Sequence, residues 1–183
     1  MVAAPGYRAA MPASSRPDAA RPDVVRPDIG SADAAPDPMS LAFAEARAAA
    51  RRGEVPVGAV VVGPGGAILA RAGNRSEELH DPSAHAEMLA LRAATRLRGG
   101  QRLSDCALYV TLEPCPMCAG AAVHFRIGRI FFGAYDPKGG GVEHGPRLFA
   151  RRGCLHRPEV VGGLREREAQ AMLRAFFRDR RAP

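Results

Sequence analysis

The chain has 183 residues, of which 46% are hydrophobic, and this length and composition suit one globular domain with a single core. No apolar stretch approaches the roughly 20 residues that a membrane helix needs, and four cysteines do not make a disulfide framework in a chain this long. A membrane protein and a small disulfide-stabilised secreted domain are therefore excluded, and we expect a cytoplasmic protein with a formal net charge of +7.

Residues 1–38 differ in composition from the rest of the chain. Arg-Pro-Asp triplets recur at five-residue spacing between residues 16 and 28, embedded in alanine, serine and proline. Such a segment buries too little apolar surface to offset its loss of conformational entropy. We therefore predict a disordered N-terminal extension over residues 1–38 and a folded domain over residues 39–183. Met39 stands at the change in composition, which suggests that translation starts there and that the extension is not part of the natural protein.

The beginning of the folded region predicts one helix and a pair of strands. Residues 41–52 are rich in alanine with basic residues at the end, which indicates a helix that stops at Gly53. Residues 55–62 form an apolar run typical of a buried strand. The Pro-Gly-Gly sequence at 64–66 predicts a tight turn into a second strand at 67–71, so we expect these two strands to pair.

Helices and strands alternate through the remainder of the chain. Asp81, Pro82 and Ser83 offer capping chemistry for one helix, and Pro114 suits the first turn of another. The predicted elements are a helix running to about 98, a strand at 107–112, a helix from 114 to about 124, strands at 129–132 and 159–161, and an amphipathic helix at 166–181 with Leu173, Phe176 and Phe177 facing inward. This alternation around one sheet predicts a three-layer α/β domain.

Two short motifs contain the residues of a zinc site. His85-Ala86-Glu87 falls in the first turn of one predicted helix, and Cys115 and Cys118 lie at the start of the next. Cysteines three positions apart share a helix face, and the positive end of the helix dipole favours the thiolates that zinc binds. One histidine and two thiolates leave the fourth zinc position to water, with the Glu87 carboxylate beside it. Residues two positions apart on a continuous helix point in different directions. The side chains of His85 and Glu87 therefore reach one metal site only if that site lies over the end of the helix.

Two structural interpretations of the cysteines compete with a catalytic site. One is a redox Cys-x-x-Cys pair, and the other is a closed structural zinc site completed by Cys106 or Cys154. A redox pair does not require a His-x-Glu motif, and a zinc ribbon normally brings a second Cys-x-x-Cys, which this chain lacks. The other histidines show no ligand spacing among themselves: His80, His124, His144 and His156.

Basic residues are concentrated towards the C-terminus. Residues 39–183 contain 22 basic and 14 acidic groups, and residues 138–183 alone contain 11 basic and 5 acidic groups. Ordinary solvated helix faces explain such an excess, and so do contacts with phosphates, which dominate the affinity of proteins for nucleic acids. Charge alone leaves both interpretations open.

The His-x-Glu and Pro-Cys-x-x-Cys motifs together are the signature of zinc nucleobase deaminases. Over roughly residues 40–181, the sequence resembles the bacterial tRNA-specific adenosine deaminases of the zinc-dependent cytidine/deoxycytidylate deaminase family. The segments that carry the resemblance are EVPVGAV at 54–60, Asn74-Arg75, HDPSAHAE at 80–87, YVTLEPC at 109–115, RIGR at 126–129, FGA at 132–134, DPKGG at 136–140 and FFR at 176–178.

The resemblance implies a cytidine-deaminase-like α/β/α fold with a single mixed sheet, and a homodimer. It implies one zinc ion (Zn2+) per subunit, held by His85, Cys115 and Cys118. The implied activity is hydrolytic deamination of the wobble adenosine to inosine in the anticodon of an arginine tRNA, with Glu87 as the proton shuttle. The expected partner is the tRNA anticodon stem-loop, and neither DNA nor a membrane is expected.

Further substrate contacts are implied residue by residue. Asn74 matches a residue that hydrogen-bonds the bound nucleoside, although an asparagine at this point could equally cap a turn. Val55, Pro56 and Ala86 match the walls of the base pocket, although valines in such a run are commonly core residues. The implied RNA contacts are Asp136 and Lys138 in the loop that meets the anticodon backbone, and Phe177 and Arg178 on the last helix. At helical spacing Phe176 and Phe177 do not both face RNA, and one of them is expected to be a core residue.

Two segments leave questions open. Residues 141–154 depart from the best-known bacterial pattern, in which a Gly-Ser-Leu run follows the glycines, so the recognition of flanking nucleotides is not implied there. Residues 119–122 are all small, which suits either the family's dimer contact or ordinary packing within the chain.

Two other functions fit parts of the sequence. One is a deaminase that acts on a free base or nucleoside, and the other is a catalytically silent RNA-binding subunit with a structural zinc. The basic C-terminal region argues against the first, because a free base has no phosphates to meet. Glu87 argues against the second, because a silent subunit has no use for a proton-shuttling carboxylate. Thiolate ligands without a redox requirement favour zinc over other divalent ions.

Overall fold

The computed structural model describes residues 37–180, so the predicted extension up to residue 36 and the last three residues lie outside the described part. Within that part, the elements are α1 (Pro38–Arg51), β1 (Gly58–Val62), β2 (Ile68–Gly73), α2 (Ala86–Arg98), β3 (Ala107–Leu112), α3 (Pro116–His124), β4 (Arg129–Ala134), β5 (Glu159–Val161) and α4 (Glu166–Asp179), with short 3-10 turns at Pro64–Gly66 and Leu148–Ala150. No helix in this range combines the length and apolar composition that a membrane-spanning segment requires.

The five strands form one mixed sheet in the order β2-β1-β3-β4-β5. β1 pairs antiparallel with both β2 and β3, whereas β3, β4 and β5 run parallel to one another. The parallel pair β3 and β4 is connected through α3, as a parallel connection requires. The predicted hairpin and the single mixed sheet are both confirmed.

Helices cover both faces of the sheet. On one face, α2 and α3 pack against a core that includes Ala59, Val61 and Leu108. On the other face, α1 and α4 pack against a second core that includes Val60 and Val62. Because successive strand residues point to opposite faces, burial on both sides explains why β1 is apolar throughout. The predicted three-layer α/β/α arrangement is confirmed.

Several element boundaries differ from the predictions. β1 begins at Gly58 rather than residue 55, since Pro56 has no amide hydrogen and Val57 N–H donates to the carbonyl of Val55 in a tight turn. α1 begins at Pro38, earlier than predicted, because the Asp37 carboxylate accepts hydrogen bonds from the amides of the first turn. α3 begins at Pro116 rather than residue 114, with Cys115 as its N-cap residue. Each difference arises from proline or capping chemistry.

The last helix corrects one prediction about orientation. Leu173 packs against the core as predicted, and Phe176 is partly buried. Phe177, which was predicted to face inward, is 41% exposed. Adjacent helix residues point about 100° apart, so two successive phenylalanines do not share the same buried stripe.

Candidate metal and catalytic site

Two helix N-termini meet at the candidate site. His85 is the N-cap residue of α2 and Cys115 is the N-cap residue of α3, both in extended backbone conformation. Cys118 follows within the first turn of α3. His85 therefore lies one residue before the first turn in which it was predicted, and Glu87 is the second residue of α2. This arrangement meets the condition that the site lie over the helix end.

The three predicted ligands converge on one point. His85 Nδ1 lies 3.6 Å from Cys115 Sγ and 3.5 Å from Cys118 Sγ, and all three donor atoms lie within 4.8 Å of one another. Zinc bonds of about 2.1 Å to nitrogen and 2.3 Å to sulfur, at a tetrahedral angle, place these donors about 3.6 Å apart. The donor types and their spacing therefore fit zinc without rearrangement of the chain.

The other two cysteines do not complete a four-ligand site. Cys106 is buried and contacts Arg98 and Asp105, whereas the Cys154 thiol donates to the carbonyl of His156. Among the residues that the structure describes, the group with metal-ligand geometry contains His85, Cys115 and Cys118 alone. The closed structural zinc site considered from the sequence is thus not formed.

Glu87 is a buried carboxylic acid beside the ligands. Glu87 is only 4% exposed. Burial raises the pKa of Glu87, because desolvation disfavours the charged carboxylate. A buried carboxyl group with a raised pKa beside the candidate metal ligands is a candidate for proton transfer.

The two ligand thiols differ in their protonation. A hydrogen bond from the Cys118 thiol lowers the pKa of Cys115 to about 4, and the pKa of Cys118, as the donor of that bond, is raised. The hydrogen bond between His85 and Cys115 raises the pKa of the imidazole. The lowered pKa of Cys115 favours the thiolate form that zinc binds.

Asn74 connects the strand hairpin to the start of α2. Its side chain is buried, and Oδ1 accepts a hydrogen bond from Ala86 N–H at 2.8 Å. Its own backbone N–H donates to the carbonyl of Val57. Asn74 therefore satisfies one of the free amides of the first helical turn and fixes the direction in which His85 and Glu87 enter the site. Of the predicted pocket walls, Ala86 and Pro56 are buried, and Val55 is partly buried against the core.

Glu113 is a functional candidate that the sequence did not single out. This carboxylate is 2% exposed, and it holds the loop at residues 136–144. Oε1 accepts from the backbone amides of Val142, Glu143 and His144, and Oε2 accepts from the amide of Asp136 and lies 2.7 Å from His144 Nδ1. The available signal was an acidic residue directly after the buried strand β3, where an apolar residue is expected.

The loop that Glu113 holds is pressed against residues 114–116, called here the metal turn because they include the candidate ligand Cys115. Gly141 N–H donates to the carbonyl of Pro114 at 2.8 Å, and a Cβ atom at Gly141 would lie 2.6 Å from the nitrogen of Pro116. A Cβ atom at Gly140 would lie 2.5 Å from Glu113 Oε1. Only glycine permits these approaches, so the Gly-rich run couples the 136–144 loop to the ligand-bearing start of α3.

Replacing Glu113 with glutamine is expected to loosen this loop. The glutamine side chain would present an amide donor to backbone amides that are themselves donors, so we expect Glu113→Gln to lower the free energy of unfolding by about 3 kcal/mol. Urea denaturation of the zinc-loaded protein measures this change. Glu143→Gln, at an exposed carboxylate of the same loop, is the matched control and is expected to stay within about 0.5 kcal/mol of the unaltered protein. Equal stability of the two variants would contradict the anchoring role of Glu113.

The implied RNA contacts fall into two groups. Asp136 Oδ1 accepts from the amides of Lys138 and Gly139, so this carboxylate shapes the loop, while the Lys138 side chain is exposed. Phe177 and Arg178 are exposed near the end of α4, which packs on the α1 side of the sheet. Through Glu113, hydrogen bonds join the loop of Asp136 and Lys138 to the metal turn. Within residues 37–180, no hydrogen bond joins Phe177 or Arg178 to that turn.

A His/Cys/Cys group with an open fourth position beside a buried glutamate defines a zinc-dependent deaminase site. Residues 35–134 match the family model for the cytidine and deoxycytidylate deaminase zinc-binding region. The chain therefore belongs to the cytidine/deoxycytidylate deaminase family, and the predicted resemblance and deaminase class are confirmed.

Known relatives refine this position within the family. The chain is 52% identical to the tRNA-specific adenosine deaminase of Agrobacterium fabrum, over 78% of this chain and 93% of that protein. A solved structure from work on A-to-I editing by tRNA:A34 deaminases at the wobble position of transfer RNA is 51% identical, with a TM-score of 0.73 over 74% of this chain and 98% of the other. Guanine deaminase from Nitrosomonas europaea is 26% identical, with a TM-score of 0.63 over 80% of this chain and 86% of the other.

Proposed function

We propose that this protein is a tRNA adenosine deaminase that converts the wobble adenosine in the anticodon of an arginine tRNA to inosine by hydrolysis. The observation that carries the proposal is the geometry of His85, Cys115 and Cys118 around one point beside the buried Glu87. Similarity at 52% identity to a tRNA-specific adenosine deaminase supports the choice of substrate.

The chemistry follows from the ligands and the carboxylate. His85, Cys115 and Cys118 would hold one zinc ion per chain, and the bound ion would supply a water whose pKa is lowered to about 7. Glu87 accepts the proton of the attacking water and passes it to the ring nitrogen of adenine. The water oxygen adds at C6, Glu87 then transfers the remaining hydroxyl proton to the amino nitrogen, and the bond from C6 to that nitrogen breaks to release ammonia. One water is consumed and one ammonia is released for each inosine.

The proposed substrate contacts follow from the placement of each residue. The oxygen of Asn74 already accepts from Ala86, so Asn74 offers its amide NH2 group to the nucleoside. Val55, Pro56 and Ala86 form the walls of the base pocket. The RNA contacts are the loop residues Asp136 and Lys138, together with Phe177 and Arg178. The exposed ring of Phe177 stacks on a flanking base and contributes about 1–3 kcal/mol to binding.

We also propose that two copies associate through α3. Met117 is 38% exposed on this helix, and the neighbouring small residues Gly120 and Ala121 are partly exposed, which permits close approach of a second helix. A tRNA substrate places the enzyme in the cytoplasm.

A second candidate activity is deamination of a free purine base. The structural similarity to guanine deaminase from Nitrosomonas europaea favours this alternative. Identity is 26% to that protein and 51% to the structure from the tRNA deaminase work, so the first candidate has the stronger support. Glu87 in its buried position argues against a catalytically silent subunit.

Incubation of the purified zinc-loaded protein with separate substrates tests the proposal. The substrates are the arginine tRNA anticodon stem-loop, free adenosine, free guanine and free cytosine, and nucleoside analysis with ammonia release measures turnover. We expect inosine in the RNA and no deamination of the free compounds. Turnover of a free base with no inosine in the RNA would establish the alternative activity instead.

A further inference from the structure

A basic surface without acidic neighbours follows the metal turn. Between residues 144 and 158 the chain contains four arginines and neither aspartate nor glutamate. All four side chains are exposed, and within residues 37–180 none lies within 4 Å of a carboxylate. These four residues, called here the arginine track, are Arg147, Arg151, Arg152 and Arg157.

The arginine track is held on a well-packed frame. Phe149 is buried in the core between α3 and the sheet, and the Cys154 thiol donates to the carbonyl of His156. Arg151 Nε donates to the carbonyl of Pro146, and Arg157 Nη2 donates to the carbonyl of Arg151. The side chains of Arg151 and Arg157 are therefore held in position, which lowers the entropy that they lose when they meet a ligand.

The track leads away from the metal site along α3. At one end, Leu148 N–H donates to the carbonyl of Gly141, which contacts the metal turn. At the other end, His156 Nε2 lies 2.6 Å from the carbonyl of Ile127, and Arg126 donates to the carbonyl of Leu155. Arg126 and Ile127 directly follow the C-terminal end of α3. A nine-residue helix is about 14 Å long.

We propose that the arginine track binds the backbone phosphates of the RNA strand that continues from the edited nucleotide, an interpretation that rests on the proposed function. Four like charges without counter-charges repel one another in the free protein, and a phosphate backbone relieves this repulsion. The track lies within and just beyond the 141–154 segment, where this chain departs from the best-known bacterial pattern. In this chain the segment thus supplies phosphate contacts at the place where the best-known bacterial pattern has its Gly-Ser-Leu run.

Salt dependence of RNA binding tests this proposal. Fluorescence anisotropy with the labelled anticodon stem-loop is measured for the unaltered zinc-loaded protein, for R151Q/R152Q, and for R96Q/R102Q as a matched control at exposed arginines near the far end of α2. Loss of two phosphate contacts is expected to reduce the slope of log affinity against log salt by about 1.5, and affinity at physiological salt by roughly tenfold. The control is expected to bind as the unaltered protein does.

A charge-conserving variant separates phosphate binding from loop structure. R151K/R152K loses the Arg151 hydrogen bond to Pro146 but keeps both charges, so it is expected to retain the salt slope. An unchanged slope in R151Q/R152Q, or an equal loss of slope in R151K/R152K, would overturn the proposal.

Light scattering on the same samples tests whether a second copy of the chain binds this surface instead, since Leu155 is 84% exposed beside the track. Loss of a dimer together with lost affinity would assign the arginines to the contact between copies and also overturn it. If the RNA binds through the arginine track but no inosine forms, the proposed reaction is refuted and the proposed phosphate binding stands.

Discussion

Glu87→Gln is expected to retain zinc and to lose deamination. Glutamine has nearly the same shape and fills the same buried position, but it does not carry a proton from water to the purine ring. General acid-base catalysis contributes about 10²–10⁴-fold to a reaction rate, so we expect the turnover rate to fall by at least about 10²-fold. Zinc content and single-turnover inosine formation measure the two effects. Because the pKa of Glu87 is raised by burial, the neutral amide is not expected to destabilise the fold.

The matched control for this variant is Glu77→Gln, at an exposed glutamate in the loop before α2. It is expected to retain both zinc and activity. A Glu87→Gln protein that keeps more than about a tenth of the normal rate would remove Glu87 from the proton-transfer role, since the lost contribution would fall below the usual range. Loss of zinc in the same variant would instead assign Glu87 a part in metal binding.

Cys118→Ser is expected to abolish both zinc binding and activity. Serine is a poor zinc ligand, and this site has only three protein ligands, so losing one leaves two. Loss of an outer hydrogen-bond partner alone costs about 10–100-fold in metal affinity, and we expect the loss of a direct ligand to cost more. Metal analysis after dialysis, together with inosine formation in the RNA, measures this result.

Cys154→Ser provides the matched control for the ligand variant. Its thiol donates to the carbonyl of His156, and a serine hydroxyl makes the same kind of hydrogen bond. This variant is expected to keep its zinc and its activity. Full zinc content in Cys118→Ser, or zinc loss in Cys154→Ser, would contradict the assignment of the ligands.

Periodicity in the sequence was sufficient to predict the layers of the fold but not the element ends. The uninterrupted apolar run at residues 55–62 predicted a buried strand, and the structure buries β1 between the two cores. The start of α3 was misplaced by two residues, because Pro114 and Pro116 are both suitable first-turn residues and local sequence does not choose between them. Phe177 was misplaced because adjacent helix residues point about 100° apart, so Phe176 and Phe177 do not share one buried stripe.

The metal ligands were predictable, whereas their supports were not. His85, Cys115 and Cys118 stand in short local motifs with spacing that reflects the chemistry of zinc. The support from Glu113 depends on hydrogen bonds to residues 23 to 31 positions later in the chain, and the support from Asn74 on a contact 12 positions away. Such contacts are set by the fold, so a single sequence indicates the candidate residues without indicating their partners.

Deamination of the anticodon stem-loop in 18O-labelled water tests the central claim most directly. With zinc-loaded protein in excess over RNA, we predict that inosine forms only at the wobble position, that it carries one labelled oxygen at C6, and that one ammonia is released for each inosine. Mass spectrometry of the digested RNA gives the position and the label in one measurement. Absence of inosine at the wobble position, inosine at other adenosines, or inosine without the solvent label would contradict hydrolytic editing of the wobble adenosine at this site.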